Sequence, residues 1–196
     1  MTVRPIVTFP DIALRTPAAP VETFDDELRQ LADDLLETMR AAPGVGLAAP
    51  QIGLPLAIAV LEDPGLPAGM DDAADERERE PFACRVLVNP SYEAVGADRR
   101  SFYEGCLSVP GYQGVVSRAR SVRLRAQDEH GRELDEIVTG WPARIVQHET
   151  DHLAGVLYLD SVDTRSMCTN AMYAQAWAGE ATPRSAASAL GFALDS

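Results

Sequence analysis

Gln147-His148-Glu149-Thr150-Asp151-His152 closes a stretch, Pro142 to Leu153, that reads as a helix. Residues four apart share a helix face, so His148 and His152 are placed to grip a single ion. Glu149 then stands beside that ion, able to take a proton from water. The blander reading is an accidental pair on a surface helix. Only three histidines occur in the chain, and two of them flank this glutamate, which favours the metal site.

Two histidines leave such a site one protein ligand short. One class of metalloprotease helix adds a glycine three residues after the second histidine and a third histidine three residues later. Gly155 fits, but Tyr158 occupies the ligand position. Glu180 lies in a weakly patterned Gly/Pro-containing stretch, and His130 in Asp128-Glu129-His130-Gly131, which reads as a solvated hairpin turn with Gly131 at positive φ. Cys106, in Glu104-Gly105-Cys106-Leu107-Ser108-Val109, is the better candidate, because a thiolate binds divalent transition metals well and is itself deprotonated by the ion. Cys84 alternates with Val86 and Val88 like a strand side chain, and Cys168 has no motif around it; both read as small hydrophobes.

Around this helix the chain alternates irregular and β-like segments. Residues 1–20 carry four prolines and read as extended. Thr23 is the expected cap of a first helix, with Asp25, Asp26 and Glu27 in its first turn and Leu28, Leu31, Leu35 and Met39 on one apolar face. Strand-like runs cover Leu56–Leu61, Cys84–Asn89, Gly114–Val116 and Ser121–Ala126. Residues 62–82 read as a long acidic surface loop, and the tail 164–196 as Ala-rich and helical in part. The pattern predicts an α+β fold in one catalytic domain, 1–196.

With 46% apolar residues the chain can build a core without staples. The formal charge is −13, and the densest acidic run, 71–80, also carries Arg77 and Arg79. That balance opposes a phosphate-binding surface and stable nucleic-acid binding, while leaving room for a transient ribosome contact. Three cysteines at irregular spacing suit a reducing compartment, and no leader or membrane-length apolar run is visible. A cytoplasmic protein with no membrane association is expected.

Gly44-Val45-Gly46-Leu47-Ala48-Ala49-Pro50-Gln51, Glu104-Gly105-Cys106-Leu107-Ser108 and Gln147-His148-Glu149-Thr150-Asp151-His152 resemble, in order and separation, the three signature motifs of peptide deformylases. Gly140 to Val146 resembles the branch shared by some bacterial and organellar members. The resemblance covers about residues 4–167. It implies small antiparallel or mixed sheets around a central metal-binding helix, and hydrolysis of the N-formyl group from the formyl-methionine of nascent polypeptides. By the same resemblance Cys106, His148 and His152 hold one divalent ion, Fe²⁺ in the cell with Zn²⁺, Ni²⁺ or Co²⁺ able to replace it. Glu149 is then the general base and acid, and Gln51 and the Leu107 N–H bond the oxyanion. Val45 and Ile145 would hold the methionine side chain, and Gly46 would let the substrate backbone approach. The resemblance also suggests a Glu104–Arg118 ion pair, and Asp151 is a candidate to orient a ligating histidine. Ser161 and Gln113 depart from the family's usual basic residues. Two rivals remain at this stage, a zinc endopeptidase on the same helix and a structural metal or ribosome-binding module. Cleavage of an internal peptide bond would favour the first, and bound metal without turnover the second.

Overall fold

The computed structural model describes residues 2–67 and 69–195. Helix α1 spans Asp26–Ala41 and is capped by Asp25, not Thr23: the Asp25 carboxylate accepts the Leu28 N–H at 3.0 Å. Strands β1 (Gly46–Ala48), β2 (Ile58–Asp63), β3 (Phe82–Ala94), β6 (Ser121–Gln127) and β7 (Glu133–Thr139) form an antiparallel sheet in the order β1-β2-β3-β6-β7. Strands β4 (Arg99–Cys106), β5 (Val109–Ala119) and β8 (Cys168–Thr169) form a second sheet in the order β4-β5-β8. The α+β class expected from the sequence is the observed one.

The larger sheet is covered on both faces. Side chains alternate across a strand, and β2 shows the consequence. Ile58 and Val60 pack with Leu28, Leu35 and Met39 of α1. Ala59 and Leu61 pack with Leu87, Val122 and Leu124 against α3 (Gly140–Leu153), through Ala143, Ile145 and Val146. Burying a Leu-sized side chain stabilises by about 1.5–3 kcal/mol, so this double layer holds α3 firmly in place.

Helix α3 begins two residues before the expected Pro142. It ends in a Schellman motif: Ala154 follows the last turn, Gly155 has φ +75°, and the Val156 and Gly155 N–H groups return to the Asp151 and His152 carbonyls at 2.9 and 3.1 Å. A Cβ at Gly155 would stand 2.7 Å from the Arg15 carbonyl oxygen, so only glycine fits there. The Gln147 side chain ties α3 to the end of β5 like an extra peptide group, accepting the Ala119 N–H at 3.1 Å and donating to its carbonyl at 2.9 Å.

The segment expected as a loop, 62–82, contains helix α2 (Asp71–Arg77). It is pinned by Arg79, which bonds the buried Asp63 at 2.8 and 2.9 Å and sits over the Trp141 ring. Strands β4 and β7 are not visible in the sequence pattern because polar Ser101 and Glu104 are buried in the first and apolar Ile137 is exposed in the second. Gly131 does have positive φ in the β6–β7 turn. Beyond α3, the tail forms α4 (Asn170–Ala176) and α5 (Arg184–Leu190) and returns to β4 through Asp195 and Ser101. Among the described residues no helix is long and apolar enough to cross a membrane.

Candidate active site

Three segments distant in sequence converge beside α3. Cys106 ends β4 just before the two-residue turn Leu107-Ser108, where the β4–β5 register slips between Gly105 and Cys106. A slip of this kind re-aims a side chain out of the regular alternation. Here it brings the Cys106 Sγ to 3.2 Å from His152 Nε2. One ligand atom from each of Cys106, His148 and His152 falls within 4.8 Å of the others. Of the other candidate ligands, His130 is exposed in its turn, Glu180 accepts from Ser185, and Tyr158 lies against the His148 ring at 6.3 Å.

The third motif element comes from the β1 side. Gln51 is buried, its Oε1 accepting the Ala48 N–H at 2.8 Å, which turns Nε2 toward Cys106 Sγ at 3.5 Å and Ser108 Oγ at 3.3 Å. Gly46 is buried against Glu149. A Cβ there would lie 2.2 Å from the Glu149 Oε1, so the glycine is demanded by the carboxylate in addition to anything that passes in front of it. Burial pushes the Glu149 carboxyl up to about 7, and its Oε2 has no partner among the described residues. Val45, Gly46, Gln51, Leu107 and Ile145 line one cavity of about 530 Å³ together with Cys106, His148 and Glu149.

Behind the histidines lies a charge network. The carboxylate that meets His148 is Glu104, its Oε2 3.0 Å from Nδ1; Asp151, the other candidate, does not take that place. Asp151 instead accepts from Arg118 and from the Tyr92 hydroxyl, both at 2.8 Å. Arg118 also grips Glu104 through two bonds, 2.7 and 3.0 Å, as the motif resemblance suggests. Burial opposes the Glu104 charge, but Arg118, Arg144 and His148 together hold its carboxyl well below the usual range. Arg144 was not singled out in the sequence. It precedes His148 by four residues on the same helix face, but its burial, and with it the need for a buried acid, is seen only in the structure.

A thiol and two imidazoles in one cluster, His152 buried and Cys106 and His148 half-buried, form a donor set suited to a divalent transition metal. The carboxylate on the far nitrogen of His148 is the usual brace of a ligating histidine. Glu149 lines the same cavity and its Oε2 has no partner among the described residues, so the residues present fit a metal centre with a proton-transfer group beside it.

A family model for polypeptide deformylases matches residues 3–167. The chain belongs to the polypeptide deformylase family. Peptide deformylase 1 of Streptomyces coelicolor is 55% identical, over 97% of this chain and 87% of that one. A crystal structure of a peptide deformylase from Legionella pneumophila is similar with a TM-score of 0.69 at 39% identity, covering 83% of this chain and 88% of the other. A Met-Ala-Ser-bound class I type b peptide deformylase from Acinetobacter baumannii gives 0.74 at 32% identity, covering 82% and 99%. This deformylase is therefore an enzyme, a hydrolase of peptide formyl groups.

Proposed function

We propose that this deformylase acts on the formyl-methionine of nascent polypeptides, with Cys106, His148 and His152 holding one divalent ion and Glu149 moving the proton. The observation that carries the reading is the three-residue donor cluster with the unpaired Glu149 carboxyl beside it in the cavity. Bound there, the ion would supply a Lewis acid that lowers the pKa of water from about 16 toward 7. Fe²⁺ is proposed as the cellular ion, with Zn²⁺, Ni²⁺ or Co²⁺ able to replace it.

Glu149 takes the surplus proton of the attacking water and delivers it to the leaving amine. Gln51 Nε2, held by the Ala48 contact, and the Leu107 N–H meet the charge that builds on the formyl oxygen. A donor of that kind is typically worth about 2.7–4 kcal/mol. Val45 and Ile145 receive the methionine side chain, and the peptide lies extended beside Gly46, where backbone hydrogen bonds supply affinity. The whole chain, 1–196, is proposed as one catalytic domain; Met1, Ala68 and Ser196 lie outside the described residues. Any ribosome contact is transient, and a cytoplasmic location is proposed.

The test is release of the free N-terminal amine from formyl-Met-Ala-Ser and acetyl-Met-Ala-Ser under anaerobic conditions, with metal analysis of the same preparation. Turnover of the formyl substrate alone, with one ion per chain, is the expected result. Equal rates on the two substrates would overturn the reading.

A further inference from the structure

The brace behind His148 does not end at Arg118. Glu104 Oε2, 3.0 Å from His148 Nδ1, also accepts from Arg118 Nη2 at 3.0 Å. The third arm of that guanidinium, Nη1, donates to Asp151 Oδ2 at 2.8 Å. The other Asp151 oxygen accepts the Tyr92 hydroxyl, again at 2.8 Å. Side chains from β3, α3, β5 and β4 are thus joined end to end, with His148 at one end and Tyr92 at the other. Tyr92 stands outside all three sequence motifs.

The place of Tyr92 in the fold indicates what its hydroxyl does. The residue sits opposite Leu124 in the β3–β6 register and packs against the apolar layer between the large sheet and α3. Apolar packing has no direction, so that layer alone would let α3 settle over a range of small rotations about its axis. A hydrogen bond from the sheet to a helix side chain selects one of them. Burial pushes the Tyr92 hydroxyl up to about 12, so it remains a donor throughout the neutral range. Its acceptor is the wettest link of the network: the Asp151 side chain is 19% exposed, against 5% for Arg118 and Glu104. Without the hydroxyl, water competes for that carboxylate, and Arg118 and Glu104 lose a fixed reference.

We infer that Tyr92 is a positioning residue for the metal centre: through Asp151, Arg118 and Glu104 its hydroxyl holds the His148 ring, and with it the Nε2 left for the ion, in one orientation. The inference rests on the metal-site reading of Cys106, His148 and His152, and adds to it a residue that does not line the cavity. Removing the hydroxyl therefore acts on the ligand and not on the bound peptide.

The experiment measures the rate at which the Co²⁺-loaded enzyme loses its ion to an excess of chelator, together with the visible absorption bands, which report the arrangement of the ligands. Tyr92→Phe keeps the ring and its packing and removes only the hydroxyl. It is expected to release Co²⁺ about fivefold faster, below the roughly 10–100-fold cost of losing a direct brace. The visible bands should shift, and KM for formyl-Met-Ala-Ser should stay the same. In an Asp151→Ala background, where the link is already cut, the same substitution should add nothing further, since residues that act through one another are not additive. Unchanged release and bands in Tyr92→Phe overturn the inference and leave the metal-site reading standing. The same fivefold effect in the Asp151→Ala background also overturns it, because Tyr92 would then act by packing alone. An unaltered enzyme that binds no Co²⁺ removes the metal site itself, and this inference with it.

Discussion

The two sides of α3 hold buried carboxylates in opposite conditions. Behind the histidines, Glu104 is surrounded by Arg118, Arg144 and His148 and stays ionised. In front of them, Glu149 is just as deeply buried, yet its Oε2 has no partner among the described residues and burial pushes its carboxyl up to about 7. Burial alone therefore does not set the state of a carboxyl group; the charges supplied with it do. A carboxylate bonded on every side is fitted to hold a histidine ring in place. One left unpaired beside a cavity is fitted to exchange a proton.

The largest expected effect is at the donor cluster. Cys106→Ala should lose tight metal binding and all activity, whereas Cys84→Ala and Cys168→Ala should retain their metal. Metal analysis after gel filtration checks this, and full occupancy in Cys106→Ala would refute the proposed site. Glu149→Gln should keep fold and metal while turnover falls about 10²–10⁴-fold, the usual worth of general acid–base assistance. Loss of metal along with activity would make Glu149 a ligand and erase the contrast between the two sides.

Glu104→Gln sharpens the comparison from behind. It leaves Arg118 and Arg144 buried without their shared counter-charge, and removing one partner of a buried pair costs about 3–5 kcal/mol. Denaturant unfolding should show that loss, and a change below about 1 kcal/mol would mean that the network contributes little to holding α3. Glu104→Ala should behave similarly but with an added cavity.

The smallest effect is expected far from the site, at Asp34. Burial raises its pKa, but hydrogen bonds from Arg4, Gln30 and the Thr2 N–H outweigh that and hold its carboxyl below the ordinary value. A folded pKa below the unfolded one contributes stability above the unfolded value near 3.9, and that stability is lost as pH falls through the folded value. Asp34→Asn should cost about 1 kcal/mol at pH 7, discounted because Arg4 is half exposed. The gap to the unaltered protein should close on acidification. A gap that persists at pH 2 would assign it to shape rather than charge.

Much of the site could be read from residue types and spacing. His148, Glu149 and His152 lie on one helical segment, so a period of 3.6 is enough to group them. Cys106 and Gln51 are harder, since nothing local distinguishes a ligand thiol from a small hydrophobe. Only the combined motifs raised them above their neighbours. Asp151 was a reasonable but mistaken choice for the histidine brace, because sequence adjacency to a histidine does not say where a side chain points. The acidic segment at 62–82 was expected as loop, and α2 forms there. Its neighbour Arg79 finds Asp63 and Trp141 in space, contacts that charge counts along the chain cannot reveal.

By itself the amino-acid sequence determined the elements whose signals are local: the apolar face of α1, the metal helix, the Gly131 turn and the residue types of the donor set. Tertiary structure alone decided which carboxylate braces His148, why Gly46 must be glycine, and that Tyr92 meets Asp151. Helix periodicity and turn chemistry are properties of a few consecutive residues, so they are written in the chain. Ion pairing, close approach and cavity lining depend on distances between segments tens of residues apart, and those distances exist only once the two sheets have closed around α3.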